Sequence, residues 1–356
     1  MSSKTFCFLD RKNSMSEKRT EIGEIGEFGL IDRISANAYQ KQATTIKGIG
    51  DDAAVHDAGD KYVLLSSDML LEGIHFDLAY MPLQHLGFKA IAVNVSDIAA
   101  MNGVPKQVTV NLALSNRFSV EAVAVFYEGV KLACEAYNVD LVGGDTTASP
   151  SGLMISVTVI GEVAKEKVVY RSGAREGDII CVSGDLGGAF IGLQILEREK
   201  QEYIANPDMQ PKLDQYDRVV GRQLRPRARM DIVYELADLG IVPTSMIDVS
   251  DGLASELFHL CKQSDLGVSI YEDKLPIEKQ TYETAAEFGM DPNTCALNGG
   301  EDYELLFTIK QEDFPKVEKH EDIQIIGYTH AKDKGRVMVT RNDAVIELQA
   351  QGWKHF

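Results

Sequence analysis

The sequence predicts two layered domains of mixed strands and helices, α/β or α+β. Three observations support this. The chain has 356 residues, the length of roughly two domains at about 150 residues each. Its composition is 44% hydrophobic and 25% charged, that of an ordinary folded protein. Short β-branched runs alternate along it with apolar-periodic stretches of about three helical turns.

Residues 1–26 are polar and aperiodic and read as a disordered extension, with Met15 as a candidate start. The apolar patch at 6–9 is shorter than a signal peptide's core of at least about 7 residues. Residues 62–67 form a strand that runs into Asp68. Residues 90–101 are apolar nearly all round, so this helix should be buried. A strand follows at 108–114, a helix at 121–137, and a strand at 139–144 that ends at Asp145. The strand at 153–163 places Ile155, Val157 and Val159 on one face. The charged run Gly161-Glu-Val-Ala-Lys-Glu-Lys then marks a boundary, giving an N-terminal domain at 27–163 and a C-terminal domain at 164–356. In the second half a strand at 179–184 leads to Asp185, and a helix spans 187–199. The polar stretch 201–224, with two prolines, reads as a surface loop. A strand at 245–250 meets Asp251, and a helix at 253–262 is capped by Ser250 or Asp251, Gly252 allowing the tight entry. Strands at 303–309 and 323–328 complete the set.

Charge narrows the function. Thirty-six basic residues against 54 acidic ones leave a net charge of -18. Such a chain lacks the basic face that nucleic acid or an anionic membrane requires. It can still bind phosphates if metal ions stand between the two negative partners. The five cysteines, Cys7, Cys134, Cys181, Cys261 and Cys295, form no CxxC pair. They read as reduced thiols of a cytoplasmic protein. No apolar run approaches the roughly 20 residues of a membrane span.

Six segments share one chemistry, glycines and hard oxygens beside strands: Gly48-Ile-Gly-Asp-Asp-Ala, Ser66-Ser-Asp-Met with Glu72-Gly-Ile-His75-Phe, Ala92-Val-Asn-Val-Ser-Asp, Val142-Gly-Gly-Asp-Thr-Thr, Asp248-Val-Ser-Asp-Gly-Leu and Asn298-Gly-Gly-Glu-Asp-Tyr-Glu. Mg²⁺ prefers such oxygens. Asn94 and Asp97 lie one turn apart on one face of the apolar helix. A carboxylate there must be paired, protonated or metal-bound. Should Asp51, Asp52, Asp68, Asp97, Asp145, Asp248 and Asp251 converge, each pair about 5 Å apart would repel by about 3 kcal/mol at an effective dielectric of ~20. Divalent cations bridging to phosphate oxygens would relieve that repulsion. The chain has no P-loop, no protein-kinase motif set and no EF-hand loop.

Together with Tyr170-Arg-Ser-Gly-Ala, these motifs in this order resemble the thiamine-monophosphate kinase family from about residue 27 onward. That family belongs to the aminoimidazole-ribonucleotide-synthetase (PurM-like) superfamily. The resemblance implies a two-domain PurM-like fold, an N-terminal α/β domain that dimerises through its sheet and a larger C-terminal α+β domain that covers the active site. It also implies ATP-dependent phosphorylation of thiamine monophosphate to thiamine diphosphate. Carried over, Asp52, Ser66, Ser67, Asp68, Asp97, Asp145, Asp248 and Asp251 hold several Mg²⁺ ions. Gly144, Asp145, Arg171 and Ser250 contact ATP. His75, Glu301 and Trp353, the last in the ending Gly352-Trp-Lys-His-Phe, contact the thiamine. Lys354 departs from the family's usual Asp. The acceptor is a phosphate oxygen, so no residue is assigned as acid or base.

Two alternatives stay open at this stage. One is another ATP-using member of the superfamily with a different acceptor. Selenophosphate synthetase needs a reactive cysteine in a glycine-rich setting that Cys7 lacks, and the hydrogenase-maturation enzyme ends in a cysteine where this chain has Phe356. The other is a nucleotide or metal sensor that binds ATP without turning it over.

Overall fold

The computed structural model describes residues 20–351. Two units are distinct. Within the first lies α1, Ile22–Ala36, broken at Gly26 by a backbone φ of 66° and burying none of its residues. Its apolar residues Ile22, Ile25, Phe28, Ile31 and Ile34 recur every third position. Helix therefore covers 22–26 of the segment expected to be disordered. Residues 1–19, with Cys7 and Met15, lie outside the described residues.

The second unit starts at Gln40 and contains two sheets. The first comprises β1 (Thr45–Lys47), β2 (Ala54–Asp57), β3 (Tyr62–Leu71), β4 (Val104–Leu114), β5 (Asp140–Ala148) and β6 (Leu153–Val163). Their order is β1-β2-β3-β6-β4-β5. Only β4 and β5 run parallel. Strand β6 matches the expected range and alternates buried with half-buried residues along its whole length, as a sheet with one covered face requires. Helix α2 (Leu83–Ala100) packs on β3, β4 and β6, and α3 (Val120–Tyr137) packs on α2. Two glycines make that helix contact close. A Cβ on Gly87 would lie 2.0 Å from the Phe126 carbonyl oxygen, and one on Gly129 1.8 Å from that of Gln84.

The second sheet holds β7 (Ile179–Ser183), β8 (Ser245–Asp248), β9 (Leu266–Tyr271), β10 (Leu305–Ile309), β11 (Ile323–Ala331), β12 (Arg336–Val339) and β13 (Val345–Glu347). Their order is β13-β12-β9-β11-β7-β10-β8. The helices of this half are α4 (Gly188–Ala205), α5 (Asp217–Leu224), α6 (Met230–Asp238), α7 (Leu253–Ser264), α8 (Lys279–Glu287), α9 (Pro292–Asn298) and α10 (Phe314–Val317). One apolar core runs through both halves, from Leu64, Ile91 and Val157 to Ile191, Val219 and Phe307. A second cluster, with Ile180, Leu257, Val268 and Leu306, belongs to the C-terminal half alone.

Three expectations need correction. The stretch 201–224 is mostly helical: α4 continues to Ala205 and α5 spans Asp217–Leu224. Its polar residues hide a short amphipathic helix that buries Val219, Val220, Gln223 and Leu224. The cap of α7 is Gly252 itself, at φ 111°, with no side-chain cap. Asp68 and Asp145 stand inside β3 and β5 rather than beyond their ends. Among the described residues, no helix is long and apolar enough to cross a membrane, and Cys134, Cys181, Cys261 and Cys295 are free thiols.

Candidate active site

Strand alternation sorts the first acidic segment. Leu64, Ser66, Asp68 and Leu70 share one face of β3, and Leu65, Ser67 and Met69 the other. The first face meets α2. Asn94 Oδ1 accepts from the Asp68 amide at 3.1 Å, and the Ser66 hydroxyl donates to Asp97. The Ser67 hydroxyl, on the opposite face, donates to the Val157 carbonyl at 3.1 Å and meets Thr158 at 3.0 Å. The structure therefore does not bring the Ser67 side chain to the other expected ligands. A one-residue step along a strand moves a side chain through the sheet.

The C-terminal half closes over this cluster. Ser96 on α2 donates to Asp248 Oδ2 at 2.6 Å. Carboxylate oxygens of Asp52, Asp97 and Asp248 lie within 4.8 Å of one another. Asp52 Oδ1 accepts from Arg171 Nη2 at 2.7 Å and Nε at 3.2 Å. Asp52 Oδ2 is buried with no hydrogen-bond partner. Asp51 is turned aside, accepting from the Arg171 amide at 2.8 Å and pairing with Lys47 at 3.0 Å.

Burial and mutual repulsion raise these acids. Burial pushes Asp248 up to about 7, with Asp52 adding to the effect. Burial likewise brings Asp68 to about 6, against a lowering hydrogen bond with Asp97. Asp97 is raised well above the carboxylate range by desolvation, then by Asp68, Asp248 and Asp52. Asp52 is raised by burial in spite of Arg171. An orphaned buried oxygen inside a knot of carboxylates fits a hard divalent cation, which takes oxygen ligands and removes the repulsion.

Other expected residues stand around this centre. Asp251 follows the cluster by one turn of chain, and its amide donates to Glu256 Oε1 at 2.8 Å. Glu256, only 2% exposed, is raised by burial and by Asp251. The Ser250 carbonyl accepts from the Glu301 amide at 2.7 Å. This joins the Asp-Val-Ser-Asp-Gly turn to the Gly-Gly-Glu turn. Gly300 is required there: at φ 71° its Cβ would lie 2.6 Å from the Ser250 carbonyl oxygen. His75 follows β3, and its Nδ1 accepts from the Leu71 amide at 3.1 Å, which leaves the proton on Nε2.

The structure does not gather Asp145 and Gly144. They sit opposite Asn111 and Val110 on the exposed edge strand β5. By strand order that is three strands from Asp68, roughly 14 Å at about 4.8 Å per strand. Gly144 serves the sheet, since its Cβ would meet the Val110 carbonyl oxygen at 1.8 Å. Trp353 and Lys354 lie outside the described residues.

Several site neighbours escape motif reading. Lys89, fully buried on α2, pairs with Glu301 Oε1 at 2.8 Å. Gln223 on α5 donates to Glu301 Oε2 at 2.7 Å. Arg222 donates to the carbonyls of Asp185 and Asp302, each at 3.0 Å, and pairs with Glu304 at 2.8 Å. Glu304 also accepts from Arg229 at 2.5 Å and Ser183 at 2.6 Å. Asp302, raised by burial to about 7, accepts from the amides of Gly187 and Ala189 at 2.7 and 3.3 Å. These contacts hold Glu301 and Tyr303 at φ 57° and 53°. Such conformations cost of order 1–3 kcal/mol each outside glycine and cluster at working sites.

The comparisons agree with this geometry. Residues 50–163 match the family model for the AIR synthase related protein N-terminal domain, and residues 175–340 that for its C-terminal domain. The thiamine-monophosphate kinase of Aquifex aeolicus is 37% identical over 94% of this chain and 99% of its own length. That of Bacillus subtilis is 34% identical over 93% and 99%. A solved structure described as AaThiL complexed with AMPPCP and TMP superposes with a TM-score of 0.80. It is 35% identical and covers 96% of this chain and all of its own. Motif order, fold and full-length similarity converge: this chain belongs to the thiamine-monophosphate kinase family of AIR synthase related proteins.

Proposed function

We infer that the chain transfers the terminal phosphoryl group of ATP to thiamine monophosphate, forming thiamine diphosphate and ADP. The observation that carries this reading is the convergence of Asp52, Asp68, Asp97 and Asp248 from three elements and a loop. Asp52, Asp68, Asp97 and Asp248, with Ser66, would hold Mg²⁺, and Asp251 follows Asp248 on the same turn. Bound there, Mg²⁺ would supply neutralisation of charge on the phosphate oxygens. The chain's own part is positioning. Arg171 offers a planar fork for a phosphate once it exchanges Asp52, and Ser250, on the Asp248–Asp251 turn, is the other proposed ATP contact of this half. The acceptor phosphate is already ionised at neutral pH, so in-line transfer needs no side chain to remove a proton.

His75, Glu301 and Trp353 are the proposed thiamine contacts, and Gly144 and Asp145 the proposed further ATP contacts. A homodimer through the first sheet is supported by the outer row of β3 and the edge β5. Leu65, Met69, Leu141 and Val142 are each 44–57% exposed there. We place the domain boundary at 163, where β6 ends, and the protein in the cytoplasm, where its thiols stay reduced.

The test is direct. Purified protein is mixed with thiamine monophosphate, ATP and Mg²⁺, and the products are separated by chromatography. Equal amounts of thiamine diphosphate and ADP, abolished by EDTA, are expected. ADP without thiamine diphosphate would move the acceptor elsewhere, and ATP binding without turnover would make the chain a sensor.

A further inference from the structure

Glu301 does not reach its place through its own loop alone. Its two carboxylate oxygens are each held by a residue from a different helix. Lys89 of α2 pairs with Oε1 at 2.8 Å and Gln223 of α5 donates to Oε2 at 2.7 Å. Lys89 is 0% exposed and Gln223 3%. A lysine so placed has left water entirely, which is unfavourable unless its charge is matched. The match is Glu301, whose backbone stands in the left-handed region at φ 57°. A non-glycine residue holds that conformation only where its surroundings fix it. Of the two helices, α2 also carries Asn94, Ser96 and Asp97 into the acidic cluster.

We propose that Lys89, seconded by Gln223, is a positioning residue for the thiamine substrate: it holds the Glu301 carboxylate oriented at the substrate side of the site. The proposal rests on the reading of Glu301 as a thiamine contact. Lys89 touches neither substrate in this scheme and acts through Glu301. Its removal should weaken thiamine monophosphate while leaving ATP and the metal requirement in place.

The test is a kinetic double-mutant cycle on the full chain, with Lys89→Met, Glu301→Gln and both together. Lys89→Met is expected to raise KM for thiamine monophosphate at least tenfold, with KM for ATP changed less than about twofold. The double variant should resemble the worse single variant, because two residues acting as one unit are not additive. Multiplying effects, or equal rises in both KM values, would overturn the proposal. If Glu301→Gln alone changes KM for thiamine monophosphate and Lys89→Met does not, only the role of Lys89 falls. If Glu301→Gln changes nothing, the substrate role of Glu301 falls and takes the proposal with it. Should Lys89→Met not fold, Gln223→Met carries the same cycle from the other helix. It is expected to raise KM for thiamine monophosphate selectively, and an unchanged value would overturn the proposal.

Discussion

Ser96 donates its hydroxyl to Asp248 Oδ2 across 2.6 Å, tying the buried helix of the first half to the last residue of strand β8 in the second. Both residues are buried, so the bond is shielded from water. Ser96→Ala leaves a buried carboxylate oxygen short of a donor, at a cost of about 1–3 kcal/mol. The hydroxyl also restrains the upward shift of Asp248. Without it the proton competes better with a cation. Activity titrated with Mg²⁺ should need more metal for half-maximum, and the excess should be larger at pH 6.5 than at pH 8. A pH-independent change would detach Ser96 from the metal.

Asp97 stands where three other carboxylates repel it. Asp97→Asn removes a proposed ligand and a source of repulsion together, so the two consequences have opposite signs. The Mg²⁺ concentration for half-maximal activity should rise about tenfold or more, as loss of a charged ligand implies. The metal-free protein should melt at a higher temperature than the parent, since a crowded charge is gone. Melting curves in EDTA and in Mg²⁺ test both, and unchanged metal dependence would remove Asp97 from the ligand set.

Stability of the metal-free protein should fall as pH rises through neutrality. In the folded state Asp68 and Asp248 are raised to about 6 and about 7 from the ordinary carboxyl value of 3.8. The folded state therefore binds more protons than the unfolded one between those values. The contribution is fully present below about pH 4 and lost as pH climbs past 6 to 7. Melting temperatures in EDTA should decline from pH 5 to 7.5. Asp248→Asn should flatten the decline, and saturating Mg²⁺ should remove it. A flat parent profile in EDTA would show the acids ionised without penalty.

Arg222 answers for a different part of the frame. It pairs with Glu304 and fixes the carbonyls of Asp185 and Asp302. Arg222→Met breaks a buried pair from one side, a change that costs about 3–5 kcal/mol. Urea unfolding should show a lower midpoint at an unchanged slope. A shift below about 1 kcal/mol would mean that Arg229 alone satisfies Glu304.

Much of this was legible in the residues. Strand β6, helices α3 and α7 and the gathering of Asp52, Asp68, Asp97 and Asp248 follow from alternation, helical spacing and shared hard-oxygen chemistry. Other features were not. The face reached by Ser67 depends on which row of β3 is covered, which Leu64 and Leu70 reveal only once α2 is in place. Asp145 shares the Gly-Gly-Asp pattern, yet strand order sends it to the far edge of the sheet. Helix α5 is short and mostly polar, so its sequence resembles a loop while Arg222 and Gln223 point inward. Lys89 sits one residue before the apolar stretch read as helix, and its partner is 212 positions away. No local pattern announces such a contact.

Helix α2 gives the site a phase. Lys89 meets Glu301, Asn94 meets the Asp68 amide, Ser96 meets Asp248 and Asp97 meets Ser66. Eight residues separate the first from the last, about 12 Å at 1.5 Å per residue. One residue inserted between them would turn one end by about 100° against the other. Glu301 and the acidic cluster would then fall out of step, although every side chain remained present. The same insertion in the exposed 206–213 connection should pass almost unnoticed. The spacing of these contacts is thus kept as a rotation, on a single buried screw.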